Sequence, residues 1–198
     1  VNKQPLTLNE LINKKTKSNA KGNINCSKLF KQHQPKSIRE WGEIVSKQKC
    51  NVLWITKDVL NKQAEYGCSY EKSKILDYVY MLLVENTYNG MTKEITILHY
   101  LQNKFKNLLF STNEEYDNEY AVDIDISNSE KEIIGAIQVK PYTYNNEGRE
   151  ADVLMNKNKN NRFKEKFTQV KEVFYLYYNK SNWLNEKEFL AYINQLAQ

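Results

Sequence analysis

Histidine and cysteine are scarce in this chain, and their scarcity excludes several chemistries. The two histidines, His33 and His99, lie far apart, and His99 falls beside Leu98 on the polar side of an amphipathic stretch. A histidine-based mechanism is therefore not expected. The three cysteines, Cys26, Cys50 and Cys68, are odd in number and lack Cys-x-x-Cys spacing. That argues against a disulfide framework or a zinc site and fits a reducing cytoplasm. No run of about 18 apolar residues occurs, and residues 1–7 lack the apolar core of an export signal. A soluble intracellular protein with no membrane partner is expected.

The most informative absence is of negative charge. No acidic residue stands between Glu10 and Glu40, whereas Lys14, Lys15, Lys17, Lys21, Lys28, Lys31, Lys36 and Arg39 all fall there. The net charge of +5 understates this local asymmetry. Interleaved amides, Asn23 and Asn25 among them, are donors suited to phosphate oxygens and adenine edges, so a polyanion is the expected partner. A solvated basic tail has the same composition, but Ile24, Leu29 and Phe30 need a core. Ser37, with Glu40 three residues on, forms a capping box. It predicts a short helix over residues 37–47, with Ile38, Trp41, Ile44 and Val45 on one side.

Residues 52–60 are ambiguous, since the run Trp54-Ile55-Thr56 suits a strand or the start of a helix. Over residues 69–85 the recurrence of Ile75, Leu76, Val79, Leu82 and Leu83 is helical, and Asn89-Gly90 is the expected stop. A second helix is predicted over residues 92–107, with Met91, Ile95, Leu98, Leu101 and Phe105 as its stripe. Glu94 lies at the border of that stripe, where an acid needs a reason. A strand over residues 108–112 follows.

Residues 119–141 then read as a β-hairpin. Val122, Ile124 and Ile126 share one face of the first arm, and Asp123 and Asp125 share the other. Ser127-Asn128-Ser129 is the expected turn. In the second arm, residues 132–140, Gln138 and Lys140 again share a face. With Glu114, Glu115, Asp117 and Glu119, the two hairpin aspartates bring six acids into residues 114–125, an expected negative basin. Carboxylates, an amide oxygen and an ammonium on one sheet surface suit a hard divalent cation and its water. The same residues would also suit the wet face of an ordinary hairpin. Beyond Pro141, residues 142–154 read as a polar loop. A helix with Phe163, Phe167 and Val170 inside, a buried strand over residues 172–178 and a helix over residues 183–196 follow.

An acid on one strand followed by Gln138-Val139-Lys140 on the next resembles the PD-(D/E)xK nuclease superfamily, in a variant with glutamine in place of the first acid. The order helix, strand, strand, strand, helix, strand from Thr92 onward is similar to that superfamily's core. The run Lys21-Gly22-Asn23-Ile24-Asn25, with residues 35–41, resembles more narrowly the MjaI-like group of restriction enzymes.

The resemblance implies an α/β fold, a mixed sheet flanked by helices with an αβββαβ core, and a mostly helical, basic N-terminal region. It divides the 198 residues into a DNA-contacting region, 1–68, and a nuclease core, 69–198. It implies a type II restriction endonuclease in a prokaryotic cytoplasm that cleaves double-stranded DNA with Mg2+, for which Mn2+ can substitute. A homodimer would match a palindromic site. Asp123 and Gln138 would ligate the metal, with Asp125 as rival or helper and the Val139 carbonyl completing the shell. Lys140 would act on the attacking water and Glu94 as an auxiliary ligand. DNA contacts would come from the basic segment and from Tyr142, Lys157, Lys159 and Arg162. A structure-specific nuclease of the same fold and a non-catalytic DNA-binding protein are the alternatives.

Overall fold

The computed structural model describes residues 6–16, 25–146, 149–180 and 182–198, the side chains of residues 13–16 excepted. By its internal contacts the chain forms two compact units, Val1–Met91 and Thr92–Gln198. The boundary between the units lies at 91/92, whereas the sequence suggested a division at 68/69.

The first unit is helical among its described residues. α1 (Leu8–Thr16) is started by a capping box between Thr7 and Glu10. The Glu10 N–H donates to Thr7 Oγ1 (3.3 Å), and the Thr7 N–H donates to Glu10 Oε2 (2.8 Å). In α2 (Cys26–His33) the Asn25 side chain accepts the Lys28 N–H. The expected capping by Ser37 is present in α3 (Ile38–Ser46), although the Glu40 carboxylate takes the Lys36 N–H at 2.8 Å. Trp41 and Val45 are buried as expected, but Ile38 is 37% exposed and faces away from the core. The ambiguous segment is α4 (Val52–Lys62), because Asn51 caps it and Ile55, Thr56 and Val59 recur at helical spacing on its buried side.

α5 (Lys72–Tyr80) continues through a π-helical turn, Met81–Glu85, into α6 (Asn86–Lys104). The expected stop at Asn89-Gly90 is therefore absent. A helical glycine costs about 1 kcal/mol, and burial of Met91, Ile97 and Leu101 on the same helix outweighs it. The core of this unit joins Leu8, Leu11 and Ile12 to Ile55, Val59, Ile75 and Val79.

The second unit is built on a five-stranded sheet of order β1-β2-β3-β4-β5. Its strands are β1 (Leu109–Ser111), β2 (Ile124–Ser127), β3 (Ile133–Pro141), β4 (Val173–Asn179) and β5 (Asn182–Trp183). Only the β3–β4 pair is parallel, and it is joined by the helical crossover such a pair requires, α8 (Glu150–Lys166). α6 and α9 (Glu186–Leu196) cover one face, where Ile97, Leu101, Phe189 and Ile193 meet Ile124, Ile126, Ile137, Val139 and Leu176. On the other face Ala136 and Val173 pack against Phe163 of α8. The sheet is mixed and flanked by helices, an α/β fold with the expected core order.

Five local expectations are corrected. The residues between β1 and β2 form a helix, α7 (Glu114–Tyr120), capped by Asn113 with three acids in its first turn, where the helix dipole favours them. No apolar period marks so short a helix in the sequence. α7 ends at Ala121, whose φ is +54°, with the Val122 N–H bonded back to Tyr116 O. The strand has not begun there, so Val122 packs with Phe163 instead of sharing a face with Ile124 and Ile126. The turn runs over residues 128–132, with Asn128 and Glu132 bonded to each other and Lys131 at φ +65°. Finally, the expected polar loop opens with a short 3-10 turn, Tyr142–Asn145, and its residues 150–154 already belong to α8, while Trp183 belongs to β5 rather than to the last helix.

Candidate active site

The antiparallel register Ile124↔Ile137, continued one step, sets Asp123 opposite Gln138, and the Asp123 N–H donates to Ile137 O at 3.0 Å. Period-2 alternation then places Asp123, Asp125, Gln138 and Lys140 on the α7/α8 side of the sheet. The sequence brought these four residues together correctly. Asp123, Asp125 and Gln138 are buried, at 7%, 5% and 1% exposure, and Lys140 keeps a partly exposed side chain.

The Val139 N–H donates to Asp123 Oδ2 at 2.6 Å, and Lys140 Nζ lies 3.6 Å from the same oxygen. Val139 thus reaches Asp123 through its amide. Asp125 pairs with Ala136 across β2–β3 and accepts the Ser111 hydroxyl at 2.7 Å. Burial pushes the Asp125 carboxyl above its ordinary range, against the pull of the Ser111 bond. Glu94, half-buried on α6, and Asp123 both act on the Tyr178 phenol, which burial, first, and then these two carboxylates push up.

Two buried oxygens in this group, Asp125 Oδ1 and Gln138 Oε1, have no hydrogen-bond donor. Orphaned buried acceptors are costly, and a hard cation is one group that satisfies them. The donors therefore fit a divalent cation in chemistry and in need. Among the described residues no three or more His, Cys, Asp or Glu side chains gather where a metal could sit. The acids of residues 114–119 lie along α7 instead, with Glu115 paired to Lys166 at 2.9 Å.

The sign of the Asp125 effect gives a test. A carboxyl whose folded value is raised contributes most below its unfolded value, near 3.8, and loses that contribution as pH rises through the folded value. Asp125→Asn, which keeps an acceptor for Ser111, is expected to raise the melting temperature of the metal-free protein at neutral pH. The gain should vanish below about pH 4. Equal melting curves at pH 7 would show that Asp125 carries no burial cost.

Residues outside the expected set complete the site. Tyr175 lies beside Gln138 in the β3–β4 register, and its hydroxyl donates to Asn160 Oδ1 at 2.6 Å. Asn160, buried at 5%, also donates to Tyr120 O and Ala121 O, at 2.8 and 3.1 Å. It therefore fastens the chain two residues before Asp123. Asn156, one helical turn earlier, donates to the Tyr144 hydroxyl at 2.8 Å. The i, i+4 spacing of Asn156 and Asn160 was the available signal, hidden among the amides and cations of residues 156–164.

The candidate DNA-contact residues separate. Lys159 Nζ and Arg162 donate to Asn118 O and Glu119 O, at 2.7 and 2.9 Å, so both close the C-terminal end of α7. Lys157 lines a shallow hollow with Asn145, Asn146 and Glu150, and Tyr142 is 52% exposed two residues after Lys140. Asn25 caps α2, Lys28 and Lys31 lie on that helix, Lys36 precedes α3 and Arg39 pairs at the surface with Glu43. Lys14 and Lys15 lie on α1 with side chains outside the description, and Lys17, Lys21 and Asn23 lie outside the described residues. Among the described residues no helix is long and apolar enough to cross a membrane.

No curated protein and no solved structure matches this chain. The family model of the MjaI restriction endonuclease does match it, over residues 7–188, and the chain therefore belongs to the MjaI restriction endonuclease family.

Proposed function

We propose that this protein is a type II restriction endonuclease of PD-(D/E)xK type that hydrolyses double-stranded DNA with magnesium as cofactor. The observation that carries the reading is the placement of Asp123, Gln138 and Lys140 on adjacent strands, with two buried acceptors left open beside them. Family membership supports DNA as the substrate.

Asp123, Asp125 and Gln138 would hold the cation, with Glu94 as an outer contributor through a water. The Val139 amide fixes the Asp123 carboxylate so that its position does not depend on the metal. When bound, the cation supplies Lewis acidity toward the scissile phosphate and its attacking water. Lys140 holds that water by hydrogen bonding and offsets the negative charge growing on the phosphoryl oxygens. Glutamine at 138 contributes one negative charge fewer than an acid would, so the site depends more on Asp125.

A palindromic target is matched by a two-fold protein, and the working form is a homodimer. The basic residues Lys14 to Arg39, with Tyr142 and Lys157, contact the duplex, and binding weakens steeply as salt rises. The test is incubation with unmethylated bacteriophage DNA, with and without magnesium. Discrete fragments that require magnesium are expected. Intact DNA, with binding retained, would overturn the reading in favour of a non-catalytic DNA-binding protein. Cleavage of branched substrates alone would point to a structure-specific nuclease.

A further inference from the structure

We propose that Tyr144 is a positioning residue for Lys140, holding its ammonium beside Asp123 through the face of its ring. The inference rests on the role given to Lys140 in the proposed function. Lysine carries its charge on a four-carbon stem with much rotamer freedom, and an ammonium 3.6 Å from a carboxylate oxygen is only loosely held by that contact. Its other contact is the Tyr144 ring, whose centroid lies 6.0 Å from Nζ, within the range at which an aromatic face attracts a cation.

That ring is itself held on two sides. It is 4% exposed, and it stacks on Tyr175 with centroids 6.0 Å apart and planes at 29°. The Asn156 amide fixes its hydroxyl, and Asn160 fixes the hydroxyl of Tyr175. Two asparagines one turn apart on α8 thus set two stacked tyrosines, and Tyr144, the more buried of them, faces the lysine. A buried hydroxyl needs a partner in any case, so what bears on the lysine is the placement of the ring face toward Nζ.

Phenylalanine and pentafluorophenylalanine at position 144 pack alike but present faces of opposite electrostatic sign. Single-turnover cleavage by Tyr144→Phe is expected within about threefold of the parent, and the pentafluoro variant about tenfold slower than Tyr144→Phe. DNA affinity without magnesium should be the same for both, and in a Lys140→Ala background the two should show one residual rate. Equal rates for the two rings, or a difference that persists without Lys140, would overturn the positioning role. A parent protein that cleaves no DNA would instead remove the nuclease reading and this inference with it, whereas equal rates in a cleaving enzyme remove this inference only.

Discussion

Lys140→Ala is expected to slow DNA cleavage by about 10²–10⁴-fold, to leave DNA affinity nearly unchanged and to lower the melting temperature by a modest amount. Two effects compete in that substitution. The first is loss of the ion pair with Asp123, loose at 3.6 Å, with the lysine side chain 21% exposed but the carboxylate only 5% exposed. Its loss costs more than the about 0–1 kcal/mol of a surface pair and less than the about 3–5 kcal/mol of a fully buried one. Asp123 also keeps its bond from the Val139 amide, so it is not left without a partner. The second is loss of a donor and a positive charge where negative charge develops in the transition state, where one such group is typically worth about 10²–10³ in rate. The catalytic effect is thus the larger. Single-turnover rates with saturating enzyme, beside equilibrium binding without magnesium, separate the two. A rate within about threefold of the parent would leave Lys140 as a partner for Asp123 and nothing more.

Asn160→Leu is expected to give the largest loss of stability. It removes both donors to the carbonyls of Tyr120 and Ala121 and the acceptor of the Tyr175 hydroxyl. Each buried group left without a partner costs about 1–3 kcal/mol. Leucine of similar volume returns some of this by burial, so the net cost is at least about 2 kcal/mol. In a chain of 198 residues that lowers the melting temperature by about 4–8 °C or more. Lys157→Ala, on the exposed side of the same helix, is the control and is expected to melt with the parent. An Asn160→Leu protein that melts within ~2 °C of the parent would show that solvent takes over all three bonds. Loss of Asn160 also frees the chain at Ala121, so cleavage should fall further than the folded fraction accounts for.

The hairpin was legible because its chemistry and its burial share one period. Isoleucines at 124, 126 and 137 and polar residues at 123, 125, 138 and 140 can alternate so only on a strand with one face in a core. The parallel return of β4 was legible from its aromatic and β-branched run and from the helix before it. What escaped was of two kinds. Short elements fixed by capping lack a usable period: α7 is seven residues long, and α1 is announced only by Thr7 and Glu10. Contacts across the fold leave no mark at all in the sequence. Asn160 lies 39 residues from Ala121, and Ser111 meets Asp125 over 14. Gly90 misled in the opposite sense, since a residue that ends helices in isolation is carried through by burial on either side of it.

The most direct measurement is anomalous diffraction from crystals of the protein with duplex DNA and manganese in place of magnesium. A peak coordinated by Asp123, with Gln138 Oε1 or Asp125 Oδ1 in its shell and a DNA phosphate opposite Lys140, is the result expected. An ordered complex whose manganese lies elsewhere, or that holds none between β2 and β3, would contradict the assignment of this site as the nuclease centre.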